Sequence, residues 1–314
     1  MSSRPLIVIV GPTAVGKTGL SIELALELNG EIVSADSMQV YKYMDIGTAK
    51  PTLEERKGVE HYLIDEVAPD EEFNVAKYKE KADYYIEKIY RKNKIPIMVG
   101  GTGLYINSVI DNIQFSETIC DWEYRNELSE LAKRKGNEYV HDMLRCVDPV
   151  TAQKLHTNDI RRIIRALEVY KYTGIPISKH QEESRKQPSP YRILLIGLTM
   201  ERERLYNRIN QRVDIMLEQG LVEEVCSLLD MGYDKSLTSM QGLGYKEIIS
   251  YLEGFYSYDE AVEVLKRDTR RYAKRQLTWF RRDQRIHWID INEKDSQKDV
   301  LEKCINYVEK FRFV

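Results

Sequence analysis

The segment GPTAVGKT, residues 11–18, carries the residue types of a phosphate-binding loop. It matches G-x-x-x-x-G-K-T in full, with Gly11, Gly16, Lys17 and Thr18 at the required positions. The glycines let backbone N–H groups close on phosphate oxygens, the lysine supplies a positive charge, and the threonine hydroxyl is placed to hold Mg²⁺. An apolar run precedes the loop and a helix-like segment follows it, which is the context that the motif requires. The sequence therefore predicts a phosphate site at this loop.

Asp36 is a second candidate, because it is the only acid that follows a predicted strand at this end of the chain. P-loop nucleotidases usually end an apolar strand with an Asp for the metal, but IPIMV runs instead into GGTG at residues 100–103. No NKxD segment for guanine occurs. Asp36 is thus open to two interpretations, a Mg²⁺ ligand or a general base that takes a proton from an incoming nucleophile.

Three basic segments could contact an anion. In NDIRRIIRALEVYKYTG, Arg161 and Arg165 share a helix face with Arg162 beside it, and the apolar side is formed by Ile163, Ile164, Leu167 and Val169. This face could be solvated or could contact nucleic acid. In a second segment Arg204, Arg208 and Arg212 follow one another at four-residue spacing, as an anion clamp or a surface ladder with nearby acids. Between residues 266 and 285, nine basic residues against two acidic ones alternate with aromatic residues, which favours RNA.

The elements around these residues predict an α/β fold. The apolar runs PLIVIVG, EIVSADS, KIPIMV and RILLIGLTM read as buried strands and alternate with amphipathic helical segments, and RIHWIDI reads as a last strand. This rhythm is typical of a doubly wound, mostly parallel sheet with a P-loop. Residues 116–189 show helical, charged segments and almost no strand pattern. We therefore predict a core made of residues 1–115 and 190–314, with an inserted all-helical domain at 116–189.

Composition excludes several other classes of protein. The chain has 314 residues, of which 31% are charged and 42% hydrophobic, and its longest early apolar run is far too short to span a bilayer. Its four cysteines are scattered without a CxxC pair, and its five histidines show no metal-binding spacing. We expect a cytoplasmic protein with no membrane contact, no zinc ribbon and no disulfide framework.

Several motifs together resemble those of the tRNA dimethylallyltransferases, also called tRNA isopentenyltransferases: GPTAVGKT, VSADSMQVYKYMDIGTAKP, VGGTGLY, RALEV, NQR, GYKE, YDEA and RQLTWFRR. The resemblance covers about residues 5–290. It implies transfer of the dimethylallyl group from dimethylallyl diphosphate to N6 of the adenine just 3′ of the anticodon (position 37) in tRNAs that read codons beginning with U. The loop would then hold the donor's diphosphate and not ATP.

The resemblance also implies roles for individual residues and partners. Asp36 would be the general base, while Thr18, with Mg²⁺, and Arg212 would act on the leaving diphosphate. The expected diphosphate-binding residues are Gly11, Pro12, Thr13, Ala14, Val15, Gly16, Lys17, Thr18 and Arg212. The expected tRNA-binding residues are Asp36, Ser37, Met38, Gln39, Thr102, Arg125, Arg161, Arg162, Ile163, Ile164 and Arg165. A monomer is expected, with the helical insertion gripping the anticodon stem-loop.

Two alternatives stay open on the residues alone. The loop would also suit a P-loop kinase of a nucleoside or small molecule, although the metal-binding Asp and an arginine-rich lid are missing. The basic segments would also suit a non-enzymatic RNA-binding switch gated by a nucleotide, in which Asp36 would have no chemical role.

Overall fold

The computed structural model describes residues 4–115, 120–184 and 186–311. The chain forms two compact units, one made of Met1–Ile110 and Pro190–Val314 and the other of Asp111–Ser189. We call them the α/β unit and the helical unit. The sequence-predicted boundary at residue 116 falls in the segment 116–119, which lies outside the described residues.

The α/β unit is built on a six-stranded sheet with the strand order β3-β2-β4-β1-β5-β6. Every described strand pair is parallel. The strands are β1 (Arg4–Val10), β2 (Gly30–Ser34), β3 (His61–Tyr62), β4 (Ile95–Gly100), β5 (Tyr191–Thr199) and β6 (His287–Asp290).

The helices of both units follow in chain order, with α4 to α8 forming the helical unit. They are α1 (Lys17–Glu27), α2 (Val75–Arg91), α3 (Gly103–Ile110), α4 (Trp122–Lys135), α5 (Asn137–Val147), α6 (Pro149–Lys154), α7 (Ile160–Thr173), α8 (Ile177–Ser184), α9 (Arg202–Glu218), α10 (Leu221–Asp230), α11 (Tyr245–Leu252), α12 (Tyr258–Phe280) and α13 (Gln297–Lys310). No helix in the described ranges is long and apolar enough to cross a membrane.

Strand β1 shows why the sheet is covered on both faces. Its residues from Leu6 to Val10 are fully buried, and successive side chains point to opposite faces. Leu6 and Val8 belong to one hydrophobic cluster, whereas Ile7 and Ile9 belong to the other. An apolar run without polar alternation is what a strand between two helical layers requires. The predicted doubly wound α/β fold is confirmed.

This topology brings the chemistry to one edge of the sheet. In parallel strands all carboxyl ends lie at the same edge, where open α/β sheets bind their ligands. The P-loop follows β1. Asp36 is the second residue after the end of β2, and Thr102 is the second residue after the end of β4. Helix α12, which begins at a Ser257 capping box, reaches the same edge with its last two turns through a contact of Gln276 with Gly101.

The sequence-based prediction did not include the strand β3 and the helices α3 and α13. The two-residue strand β3 pairs with β2 at the sheet margin, and it is too short to show any periodicity. Helix α13 begins at a capping box made by Ser296 and Asp299, and Val300, Cys304 and Val308 form its buried face. The Ser-x-x-Asp signal for this helix was therefore present in the sequence.

Candidate active site

The P-loop owes its path to residues with positive φ. Gly11 and Gly16 have φ of +150° and +103°, and Ala14 has φ of 63°. A Cβ on Gly11 would lie 2.7 Å from the carbonyl oxygen of Leu198 on the neighbouring strand β5. Only glycine therefore fits at the first position.

The predicted diphosphate-binding residues of the loop differ in what they can offer. Pro12 and Val15 are buried, and Val15 packs in the hydrophobic core, so only their backbone can serve a ligand. Thr18 is exposed at the start of α1, where the helix N-terminus adds positive potential. The loop thus offers its backbone, the Lys17 ammonium and the hydroxyl-bearing residues Thr13 and Thr18 to the cavity.

Lys17 is folded back over the loop. Its Nζ donates hydrogen bonds to the carbonyl oxygens of Gly11 (3.0 Å) and Pro12 (2.7 Å). Burial lowers the pKa of Lys17 to about 7, with Asp36 acting in the opposite direction and Arg212 adding to the decrease. An anion in front of the loop would favour the charged form of this lysine.

A cavity of about 920 Å³ lies in front of the loop, wholly within the α/β unit. Its volume falls in the range of small-molecule sites. The structure brings eight sequence-predicted residues to its wall: Thr13, Ala14, Gly16, Lys17, Thr18, Asp36, Gln39 and Arg212. These residues come from three separate parts of the chain and face one space.

The carboxylate of Asp36 is held by its own turn. Its Oδ1 accepts hydrogen bonds from the backbone N–H groups of Met38 (2.9 Å) and Gln39 (3.4 Å). Within the described residues, Oδ2 has no hydrogen-bond donor. Since Asp36 lines the cavity, the turn orients one oxygen and leaves the other for a ligand.

Helix α9 contributes the arginine row to the same cavity. Arg204, Arg208 and Arg212 all line it. None of them forms an ion pair with Glu201 or Glu203 in the part of the chain that the structure describes, and Arg204 donates to the carbonyl oxygen of Ile291 at 3.0 Å. Of the two sequence interpretations, the geometry favours the anion clamp over the surface ladder. Burial lowers the pKa of Arg212, while Asp36 and Glu55 act to raise it.

Sequence reasoning missed two site residues on α12. Gln276 is 5% exposed, accepts a hydrogen bond from the backbone N–H of Thr13 at 2.8 Å and donates one to the carbonyl oxygen of Gly101 at 3.0 Å. Tyr272, one turn earlier, lines the same cavity. Burial, and then the nearby Asp36, raise the pKa of Tyr272 to about 12. The four-residue spacing of Tyr272 and Gln276 shows that they share one face of the helix. Nothing in the neighbouring sequence indicates that this face meets the P-loop.

The strip after Asp36 connects the cavity to its surroundings. The backbone N–H of Ser37 donates to Thr102 Oγ1 at 3.1 Å, which joins the turns after β2 and β4. The side-chain amide of Gln39 donates to the carbonyl oxygens of Thr48 (3.2 Å) and Ala49 (3.3 Å). Met38 packs against Gly242, where a Cβ would lie 2.4 Å from the methionine Cε. Gln39 and Met38 therefore have structural partners besides any role with RNA.

A metal at this site would find few protein ligands. Among the described residues, no group of three or more His, Cys, Asp or Glu side chains could hold a metal ion. The exposed Thr18 hydroxyl lies in the same cavity as Asp36 and the P-loop. This donor set fits Mg²⁺, which keeps several waters and is commonly held by one or two protein oxygens together with substrate phosphates.

In the helical unit, a buried carboxylate organises two of the predicted RNA-binding arginines. Glu168 is fully buried and accepts two hydrogen bonds from Arg125, both at 2.8 Å, and another from Arg165. It also accepts from the backbone N–H of Asp121 at 2.9 Å. Burial would raise the pKa of Glu168, but the bonds from Arg125 and Arg165 outweigh it, so that the pKa is lowered. Arg125 and Arg165 keep side-chain exposures of 26% and 39%.

The remaining residues of this strip divide between surface and core. Arg161 and Arg162 are exposed at the start of α7. Ile163 and Ile164 are 0% and 4% exposed and pack with Leu128 and Leu144 in the core of the helical unit. Their side chains have almost no accessible surface, so any contact of these two isoleucines with RNA would have to use their backbone, and that contact stays a prediction. They stabilise the helix that displays the arginines.

Known proteins resemble this chain over most of its length. The model of the IPP transferase family matches residues 39–283. The tRNA dimethylallyltransferase of Acetivibrio thermocellus is 62% identical over 306 residues, covering 98% of each chain. That of Carboxydothermus hydrogenoformans is 57% identical over 303 residues, covering 96% of this chain and 97% of the relative.

Solved structures give the same result. The tRNA isopentenylpyrophosphate transferase of Bacillus halodurans has a TM-score of 0.73 at 44% identity, with 98% of both chains covered. A eukaryotic dimethylallyltransferase acting on tRNA has a TM-score of 0.81 at 30% identity, covering 98% of this chain and 80% of that one. With its P-loop, arginine row and cavity-facing Asp36, this chain belongs to the IPP transferase family, a family of prenyltransferases.

Proposed function

We propose that this protein transfers the dimethylallyl group from dimethylallyl diphosphate to N6 of the adenine at position 37 of tRNA, in tRNAs that read codons beginning with U. The N6 nitrogen forms a bond to C1 of the donor as the C1–oxygen bond breaks. The bonding electrons leave with the diphosphate, and one N6 proton passes to a base. The products are N6-(dimethylallyl)adenosine and diphosphate.

The observation that carries the proposal is the sharing of one cavity by Asp36, Lys17 and Arg212. Charge develops on the leaving diphosphate, and two cations that line the cavity, Lys17 and Arg212, are placed to stabilise it. A carboxylate faces the same space with one oxygen that has no donor within the described residues, so it can accept the N6 proton. In this assignment Asp36 is the base, and Thr18 and Arg212 act on the leaving group.

Adenine N6 is a weak nucleophile, because its lone pair is delocalised into the ring. The protein therefore has to contribute mainly by positioning the amine against the allylic carbon and by excluding water. Arg212 and Lys17 are half-buried, so their charges are less screened than they would be in open water. They therefore stabilise the negative charge that develops on the leaving diphosphate more strongly.

Mg²⁺ is the metal proposed for this reaction, with Thr18 as its protein ligand. When bound, it would supply positive charge to the diphosphate oxygens and so make the diphosphate a better leaving group. The remaining ligands would be water and diphosphate oxygens, in keeping with the few oxygen donors at the site.

RNA recognition is divided between the two units in this proposal. The adenine has to leave the anticodon-loop stack to reach the cavity, as bases do in other base-modifying enzymes. Asp36 to Gln39 and Thr102 would lie at the entrance for the RNA. Arg125, Arg161, Arg162 and Arg165 of the helical unit would contact phosphates of the anticodon stem-loop. A monomer in the cytoplasm remains our prediction.

The test is mass spectrometry of RNA after incubation with protein, Mg²⁺ and isotopically labelled dimethylallyl diphosphate. An anticodon stem-loop with adenines at positions 36 and 37 should gain one labelled five-carbon group at position 37. The same RNA with position 37 changed to guanine is the matched control and should stay unmodified. RNA that emerges unchanged would overturn the proposal. Phosphorylation of a small acceptor from ATP, without prenylation, would favour the kinase alternative.

A further inference from the structure

A second groove in the α/β unit lies outside the cavity described above. It has a volume of about 370 Å³ and is lined by the end of α12, by the turn that follows α12 and by the second half of α3. Its floor is apolar, with Ile106, Leu195 and Phe280 among the lining residues. The rim carries Trp279, Asn107 and Arg282.

Trp279 is an exposed ring with a fixed orientation. It is 38% exposed, whereas its neighbour Phe280 is 3% exposed and belongs to the core. The indole Nε1 donates a hydrogen bond to Asn107 Oδ1 at 3.0 Å. On its other side the ring packs so closely on Gly103 that a Cβ there would lie 2.2 Å from the indole Cδ1. An exposed aromatic ring that loses little freedom on binding is well suited to stack on a planar ligand.

Arg282 gives the rim an uncompensated positive charge. Several other cations of the basic stretch have partners: Lys266 pairs with Asp214, Arg271 with Asp268, and Arg285 with Asp283. Arg282 is exposed and forms no ion pair with a described residue. A guanidinium beside an exposed indole suits a ligand that has both an anionic group and a flat ring, which is the chemistry of a nucleotide.

The groove is connected to the candidate active site through a short series of contacts. Gly103, on which Trp279 packs, directly follows Thr102. Thr102 Oγ1 accepts a hydrogen bond from the backbone N–H of Ser37, the residue after Asp36. A strand of RNA with one base in the cavity would therefore have an adjoining nucleotide near Trp279.

We propose that this groove binds an unpaired nucleotide of the RNA substrate that flanks the reacting adenine, with its base stacked on Trp279 and its phosphate paired with Arg282. The inference rests on the proposed function, because it takes the RNA as the ligand of the α/β unit. The apolar floor accepts the face of a base, and base stacking tolerates any sequence.

The first experiment follows Trp279 directly. The chain has three tryptophans, so the variant Trp122→Phe/Trp288→Phe leaves Trp279 as the only one. Its fluorescence should be quenched by the anticodon stem-loop RNA, with the same midpoint as binding measured by anisotropy of a labelled stem-loop. Binding without a change in this fluorescence would overturn the inference.

The second experiment measures affinity. Trp279→Leu should weaken stem-loop binding about 5- to 150-fold, and Trp279→Phe, which keeps a ring, should lose much less. Arg282→Ala should lower the slope of log affinity against log salt by about one, whereas Arg271→Ala, at an ion-paired position within α12, should leave it unchanged. Equal salt slopes for Arg282→Ala and Arg271→Ala would contradict the inference. Equal stem-loop affinities for Trp279→Leu and the wild type would contradict it as well. Thermal melting confirms that each variant is folded.

Prenylation by the wild-type protein, assayed in parallel, separates the two hypotheses. If wild type prenylates the RNA while Trp279 neither senses nor affects binding, the groove inference fails and the function stands. If Trp279 is quenched by RNA that is never prenylated, the groove inference stands and the function fails. The inference would also be contradicted if a protein partner, and not RNA, changed the fluorescence of Trp279.

Discussion

The side chain of Gln276 joins Thr13 of the P-loop to the turn after β4. Its Oε1 accepts from the Thr13 N–H at 2.8 Å, and its Nε2 donates to the Gly101 carbonyl oxygen at 3.0 Å. The two bonded residues Thr13 and Gln276 are 263 positions apart in the chain. The N–H of Thr13 is therefore engaged by the protein, and the loop is held at a fixed distance from the neighbouring strand end.

This relationship predicts a defect in donor binding when Gln276 is changed. Gln276→Glu keeps an acceptor for Thr13 but loses the donor to Gly101 and adds negative charge near the diphosphate. The KM for dimethylallyl diphosphate should rise about tenfold or more, the scale of one or two hydrogen bonds. Steady-state kinetics of RNA prenylation measures it. Thr278→Ala, an exposed change on the same helix, is the control, and equal KM values for both variants would refute the prediction.

Asp36→Asn tests the base without disturbing the turn. The Asn side chain keeps an oxygen that can accept from the Met38 N–H, as Asp36 Oδ1 does at 2.9 Å. Because the amide cannot take the N6 proton, single-turnover prenylation should slow by at least about a hundredfold, the usual scale for loss of a general base. Stem-loop affinity, measured by filter binding, should stay within a few-fold of wild type. A nearly normal rate would show that Asp36 is not the base.

Lys17 predicts a pH dependence of donor binding. Its pKa is lowered to about 7 by burial, so the free protein loses this charge as the pH rises through that value. The diphosphate favours the charged form, so binding near pH 8 should take up a proton, and affinity should fall between about pH 7 and 9. Titration calorimetry in two buffers of different ionisation enthalpy measures the uptake. Lys17→Met should abolish it, and an unchanged uptake in this variant would assign the proton to another group.

The same shift has a consequence for the stability of the free protein. In the unfolded chain a lysine titrates near 10.4, so between about pH 7 and 10 the unfolded state binds more protons than the folded one. The contribution of Lys17 to the free energy of unfolding therefore increases as the pH rises across this window. Lys17→Met should remove that increment from the pH profile of chemical denaturation.

Glu168→Gln should affect stability and RNA binding together. The change removes the charge that holds Arg125 and Arg165, which are partly exposed and can regain water. We therefore expect a loss of about 2 kcal/mol in the free energy of unfolding. This is less than the loss that follows when one partner is removed from a fully buried ion pair. Stem-loop affinity should fall as well, because the two arginines lose their fixed orientation. Glu130→Gln is the matched control, since Glu130 is 59% exposed in its pair with Lys133. Equal melting temperatures for the two variants would contradict the role of Glu168.

The sequence predicted the parts of the site that depend on local backbone. The P-loop spacing indicates its own fold, because glycine at residues 11 and 16 is needed for positive φ. Parallel strands place their carboxyl ends at one edge, so the convergence of the P-loop with Asp36 followed from the strand pattern. Helical spacing predicted the shared face of Arg204, Arg208 and Arg212. The same spacing assigned Ile163 and Ile164 to the apolar side of α7, and their burial agrees with that assignment.

By itself, then, the amino-acid sequence determined the α/β fold, the phosphate loop and the acid beside it, since each depends on residues that are neighbours along the chain or on one repeating period. Only the tertiary structure decided that Gln276 fixes the P-loop, that Glu168 orients Arg125 and Arg165, and that Trp279 stays exposed while Phe280 is buried. The contacts of Gln276 with Thr13 and of Glu168 with Arg125 join segments far apart in sequence, and packing of whole helices against the sheet or one another selects them, whereas Arg165 and Glu168 are three residues apart on α7. No local pattern encodes the partner that a side chain meets there.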